Sequence, residues 1–107
     1  MDLKDLQRQA AAVNQIYAEA FDLKRDGLML IGKLTEETGE VAAAYLKLHN
    51  RARGADGDPA QLRRAFEDEL ADLLGFLAVL AQSEGVDLAE AFARKWGRYL
   101  SEEQAGG

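Results

Sequence analysis

A single proline, Pro59, interrupts 107 residues in which Ala and Leu fill 35 positions and the strand formers Val and Ile only six, so the backbone is committed to helix. Apolar residues then return at three- and four-residue steps. Leu3, Leu6, Ala10, Val13, Tyr17 and Ala20 mark one amphipathic helix over about 2–21; Leu28, Ile31, Leu34, Val41, Tyr45 and Leu48 mark a second over about 27–51. Each stripe is expected to face the core. Turn residues without periodicity follow, predicting an exposed loop over 52–58. Asp58 is placed to cap a third helix, with Pro59 in the first helical position, where its missing amide costs nothing. That helix is expected to reach about Ser83 and to be broken by Gly85. Asp87, with Glu90 three residues on, forms a capping-box-like start for a fourth helix through about Leu100. Residues 101–107 are expected to fray. The expected fold is a single all-α domain over 1–107 with four helices, without strands or repeats.

Composition narrows the chemistry. The chain has no cysteine and one histidine, His49, which excludes disulfides, thiolate metal sites and clusters of imidazole ligands. Any bound metal must be held by oxygen. With 13 basic against 19 acidic side chains and a net charge of −6, the chain lacks the electrostatic footprint of a duplex nucleic-acid binder. No stretch approaches the roughly 18 apolar residues of a membrane span, and the charged start Met1-Asp2-Leu3-Lys4-Asp5 does not read as a signal peptide. A cytoplasmic protein without membrane or nucleic-acid partners is expected. A chain this short buries only about two thirds of its unfolded surface, so completion of its helical bundle by oligomerisation is expected too.

Five carboxylates do not fit a solvated helix face. Glu36, Glu37 and Glu40 follow an E-E-x-x-E spacing, which at about 100° per residue gathers them on one side of the second helix. Like charges at that spacing repel, although Lys33 is placed to relieve part of the repulsion. In the third helix every residue from Leu70 to Ala81 is apolar or glycine except Asp72, and Glu69 shares a stripe with Leu62 and Phe76. A carboxylate buried there must be protonated, paired with a base or bound to a metal. If the two helices pack antiparallel, Glu36, Glu37, Glu40, Glu69 and Asp72 form one acidic pocket suited to a hard divalent cation, Mg²⁺ or Mn²⁺. The alternative reading is a set of inter-helix salt bridges to Lys47, Arg51, Arg63 or Arg64.

These residues resemble the MazG-type, all-α nucleoside triphosphate pyrophosphohydrolase superfamily. Leu34-Thr35-Glu36-Glu37-Thr38-Gly39-Glu40-Val41 is similar to its first motif and Glu67-Asp68-Glu69-Leu70-Ala71-Asp72-Leu73-Leu74 to its second. Gly85-Val86-Asp87-Leu88, then Lys95, Arg98 and Tyr99, follow in family order, so the resemblance covers about Leu28 to Tyr99. It implies Mg²⁺-dependent cleavage between the α and β phosphates of a (deoxy)nucleoside triphosphate, giving monophosphate and pyrophosphate. It also implies metal ligation by Glu37, Glu40, Glu69 and Asp72, and a role for Glu36 in orienting or deprotonating the attacking water or in holding a further metal. Lys95 and Arg98 are implied to meet phosphate oxygens and Phe76 to line the base pocket; Lys33 joins them as a substrate-binding candidate. Relatives build the site across a homodimer or homotetramer.

Two other readings stand beside this one. Phosphoribosyl-ATP pyrophosphohydrolase shares the helical carboxylate arrangement, but its first motif more often has a lysine ahead of Gly-Glu-Glu, whereas Thr35 precedes Glu36 here. A non-catalytic helical module that dimerises or binds metal without turnover would also explain the carboxylates.

Overall fold

The structure, a computed structural model, describes residues 1–100. The expected frayed segment 101–107 lies outside the described residues. Four α-helices follow one another as α1 (Leu3–Phe21), α2 (Gly27–Leu48), α3 (Pro59–Ser83) and α4 (Leu88–Trp96), the last continued by a 3₁₀ turn over Gly97–Tyr99, with no strand among the described residues. An aspartate carboxylate caps the start of each α-helix. Asp2 accepts from the Asp5 amide at 2.8 Å, Asp26 from Met29 at 3.0 Å, Asp58 from Ala60 at 3.2 Å and Asp87 from Glu90 at 3.2 Å. Glu90 does not complete a capping box, because its carboxylate instead meets Arg94 at 3.4 Å along α4.

The helix ends are as specific as the starts. Gly85 adopts a φ of 69°, which lets its amide bond Gln82 at 3.2 Å and the Val86 amide bond Ala81 at 2.8 Å; this Schellman closure stops α3 where glycine is required. The fourth helix is shorter than expected, since α-helical geometry stops at Trp96 and the last turn tightens to 3₁₀ from Gly97, a residue with weak helical preference. The expected loop 52–58 is exposed except for half-buried Ala55.

α3 is the central element, with α1 and α2 both packed on it and α4 folded back on α1. The Tyr45 ring lies 5.7 Å from Phe66 near one end of the α2–α3 pair, and Lys33 Nζ lies 5.4 Å from the Phe76 ring farther along, so these helices run antiparallel. The resulting body measures 45 × 44 × 23 Å with a radius of gyration of 16.7 Å, against about 13 Å for a compact domain of this length. Its apolar core is correspondingly small. Only Leu30, Ala78, Val79 and Ala81 are fully buried apolar residues among those described. The expected core stripes are therefore only partly covered: Leu34, Val41 and Leu48 are half-buried, but Val13 is 65% exposed, Ile31 53% and Leu28 86%. α2 is apolar on two sides, and α3 covers only one of them.

Gln7 fastens α1 to the far end of α3. Its side chain is buried, its amide nitrogen donates to Val86 O at 2.7 Å and to Gln82 Oε1 at 3.4 Å, and its amide oxygen accepts from the Leu88 amide at 2.9 Å. One side chain thus satisfies both the α3–α4 turn and the first turn of α4. Gln7→Ala would leave a carbonyl and an amide without partners, so it is expected to destabilise the fold by about 2 kcal/mol, or roughly 10 °C in Tm. Thermal melting followed by circular dichroism checks this, and a drop below about 3 °C would show that the pin contributes little.

Candidate functional site

The carboxylates singled out in the sequence converge between α2 and α3. Oxygens of Glu36, Glu37 and Glu40 lie within 4.8 Å of one another, as do those of Glu37, Glu69 and Asp72, so Glu37 joins both groups. Helix geometry explains the convergence. Glu37 lies on the α2 face that carries Leu30, Leu34 and Val41 against α3 and is only 6% exposed; Glu69 is half-buried, and Glu36, Glu40 and Asp72 reach solvent. Glu37 Oε2 and Glu69 Oε2 are buried without a hydrogen-bond partner.

No matching set of cations balances this cluster. Lys33 Nζ lies 3.3 Å from Glu36 Oε1, and Arg63 is engaged by Glu67 at 3.3 Å along α3. Among the described residues, Lys47, Arg51 and Arg64 make no ion pair, which disposes of the salt-bridge reading. Burial first, and then the charges of Glu40 and Asp72, push the Glu37 carboxyl above its ordinary value, with Lys33 opposing them in part. Glu69 is pushed up to about 7, first by burial, then by a hydrogen bond with the Glu40 carboxyl and the charges of Glu40, Asp72 and Glu37. A buried, unpartnered carboxylate oxygen on each of two facing helices, with neither His nor Cys nearby, is a donor set that fits a hard divalent cation.

Beside the cluster, a cavity of about 600 Å³ opens between α1 and α3, with Asp72, Lys33 and Phe76 in its wall. Of the sequence-predicted residues, the structure thus joins Glu36, Glu37, Glu40, Glu69, Asp72, Lys33 and Phe76. It does not bring Lys95 and Arg98 to them. Lys95 lines a separate pocket with Trp96, Tyr99 and Leu100, and Arg98 donates to the Tyr99 hydroxyl at 2.8 Å while lying 4.8 Å from the centre of that ring. Conversely, Arg25, Asn14 and Tyr17 border the cavity and were not foreseen. Arg25 precedes α2 in an irregular link, where no periodicity assigns a direction to its side chain.

The raised carboxyls fix the sign of a pH response. The folded state holds a proton on Glu69 up to about pH 7, whereas the unfolded chain releases it near the ordinary 4.5. The folded state therefore binds more protons in that window, and its stability is greatest below pH 4.5 as far as this group is concerned and falls as pH rises towards 7. In EDTA, Tm is expected to decline between about pH 5 and 7.5, and Glu69→Gln to flatten the decline, as calorimetry across that range would show. A profile unchanged by Glu69→Gln would locate the titration elsewhere.

No helix among the described residues is long and apolar enough to cross a membrane. No curated protein and no solved structure matches the chain significantly. The model of one family does match, over residues 25–103, a span that holds α2, α3, α4 and every carboxylate of the cluster. The chain belongs to the MazG nucleotide pyrophosphohydrolase domain family.

Proposed function

We propose that this chain hydrolyses the α–β phosphoanhydride of (deoxy)nucleoside triphosphates to monophosphate and pyrophosphate, in a house-cleaning or pool-controlling role in the cytoplasm. Glu37, Glu40, Glu69 and Asp72 would hold Mg²⁺, or Mn²⁺ in its place. The observation that carries this reading is the pair of buried carboxylate oxygens without partners on Glu37 and Glu69, next to a cavity of nucleotide size. When bound, the divalent cation would neutralise negative charge on the phosphates as the anhydride breaks.

The chain's own residues would supply the rest. Glu36 lies in the cluster, reaches solvent and is not among the four carboxylates assigned to the metal, so it would orient a water or take its proton, and Lys33 lies 3.3 Å from it. Lys33 also borders the cavity and would meet a phosphate oxygen there. Phe76 presents a flat apolar wall one turn beyond Asp72, suited to a nucleobase. Lys95 and Arg98 would reach the leaving pyrophosphate only from a second copy of the chain, given their place beyond the cluster. A second copy would also cover Ile16, Phe21, Phe92 and Trp96, each at least 61% exposed. Size-exclusion chromatography with light scattering is expected to give two or four times the 11.7 kDa protomer. A monomer at micromolar concentration would refute that assembly.

The reaction is tested by pyrophosphate and monophosphate release from canonical and modified nucleoside triphosphates, with Mg²⁺ and with EDTA. Release in Mg²⁺ alone is expected. Glu40→Gln and Asp72→Asn are expected to lower kcat about 100-fold or more while leaving helicity intact, because removing charge from the cluster reduces repulsion. Cleavage confined to phosphoribosyl-ATP would reassign the substrate, and stabilisation by Mg²⁺ without cleavage of either would favour a non-catalytic module.

A further inference from the structure

The cavity beside Asp72 holds a polar corner that the phosphate chemistry does not use. Arg25 Nη1 donates to Asn14 Oδ1 at 3.0 Å, and the guanidinium carbon lies 4.5 Å from the centre of the Tyr17 ring and 5.5 Å from that of Phe76. Two aromatic rings and an amide thus hold a half-buried cation in place, while no carboxylate pairs with it among the described residues and its Nε is buried without a partner. The bond to Arg25 also fixes the Asn14 amide. Because arginine can only donate, the atom it meets must be the carbonyl oxygen, which keeps one lone pair, and the two donors of the NH₂ group face away from Arg25. The Arg25–Asn14 corner therefore presents more donors than acceptors.

We propose that Arg25 and Asn14 are specificity-determining residues that read the base of the nucleotide, selecting bases with two adjacent acceptors: cytosine through N3 and O2, or guanine through O6 and N7. This rests on the nucleotide-hydrolysing reading above and deepens it. A nucleotide with its phosphates at the Asp72 end of the cavity extends its base along the same wall, where Phe76 and Tyr17 flank Arg25. The Watson–Crick and Hoogsteen edges of adenine each set its amino donor beside a ring acceptor, and uracil and thymine place N3–H between their carbonyls, so each of these edges would bring a donor against Arg25 or Asn14. An apolar pocket alone discriminates little between bases of similar size, whereas a fixed donor pair leaves its own groups unpaired with the wrong base.

The test is calorimetric binding of non-hydrolysable α,β-imido triphosphates of deoxycytidine, deoxyguanosine, deoxyadenosine and thymidine in Mg²⁺, alongside pyrophosphate release from the natural substrates. Cytosine or guanine is expected to bind about tenfold or more tighter than adenine and thymine, the size of one bidentate contact to a base edge. Arg25→Met and Asn14→Asp are expected to bring the four affinities within about twofold of one another, and Arg25→Lys, which keeps the charge but loses the planar fork, to restore little of the difference. If guanine is favoured, its 7-deaza analogue should lose the advantage; if cytosine is favoured, 5-methylation should not. Equal binding of all four by the unaltered protein, a preference for adenine or thymine, or a preference that survives both Arg25→Met and Asn14→Asp in variants that melt cooperatively would overturn the inference. Selective binding without pyrophosphate release would instead refute the hydrolytic reading and leave base recognition standing.

Discussion

Glu37 is buried where α2 meets α3, and a carboxylate is held in such a place only if the surrounding contacts outweigh what its desolvation costs. Those contacts come from the rest of its own helix face: Leu30 is fully buried, and Leu34, Val41, Ala44 and Leu48 are half-buried on the same side. The Tyr45–Phe66 contact at 5.7 Å closes one end of the interface. Docking that face carries Glu37 in with it and sets Glu40, Glu69 and Asp72 around it, so the packing that makes the fold also concentrates like charge. A divalent cation at this position would relieve both the desolvation of Glu37 and Glu69 and their mutual repulsion. Metal affinity and folding stability would then be drawn from one free energy.

The position of α3 sets the position of the cavity. α1 and α2 lie against it without forming a third packed pair, which leaves a layer 23 Å thick instead of a closed bundle. Where α1 passes Asp72, the facing residues of α3 include Ala71 and Gly75, too small to fill the gap, and a Cβ on Gly75 would meet nothing within 4 Å. Room for a ligand therefore opens on the side of α3 that turns Asp72 outward. Gln7, pinned at the far end of α3, holds α1 at the spacing that keeps this room open.

The sequence makes the carboxylate cluster legible because its members violate local expectations: Asp72 stands alone in an apolar run, and Glu36, Glu37 and Glu40 repel one another along one helix. The helix starts at Asp58 and Asp87 and the stop at Gly85 are equally legible, since caps are local chemistry. What escaped depends on partners far along the chain. Gln7 looks like any polar residue of a surface helix, and only its contacts with residues 82, 86 and 88 make it a core residue. Arg25 lies in a link with no period, and its direction is set by Tyr17 and Phe76 from two other helices. The apolar stripes are read correctly as apolar but not as covered, because periodicity tells which residues share a face and nothing about what that face meets.

These two unsettled features, uncovered apolar surface and concentrated negative charge, bear on each other. A core with four buried apolar residues among those described has little stability in reserve, and the cluster draws on it. Burial of Ile16, Phe21 and the stacked pair Phe92–Trp96, whose rings lie 5.6 Å apart, would add apolar area of a size the protomer core lacks. Association would in this sense be the counterpart of the buried carboxylates. Helices that keep Glu37 and Glu69 close at this interface cannot also fill it with leucine, so hydrophobic stabilisation beyond the small protomer core would have to come from faces pointing away from the site.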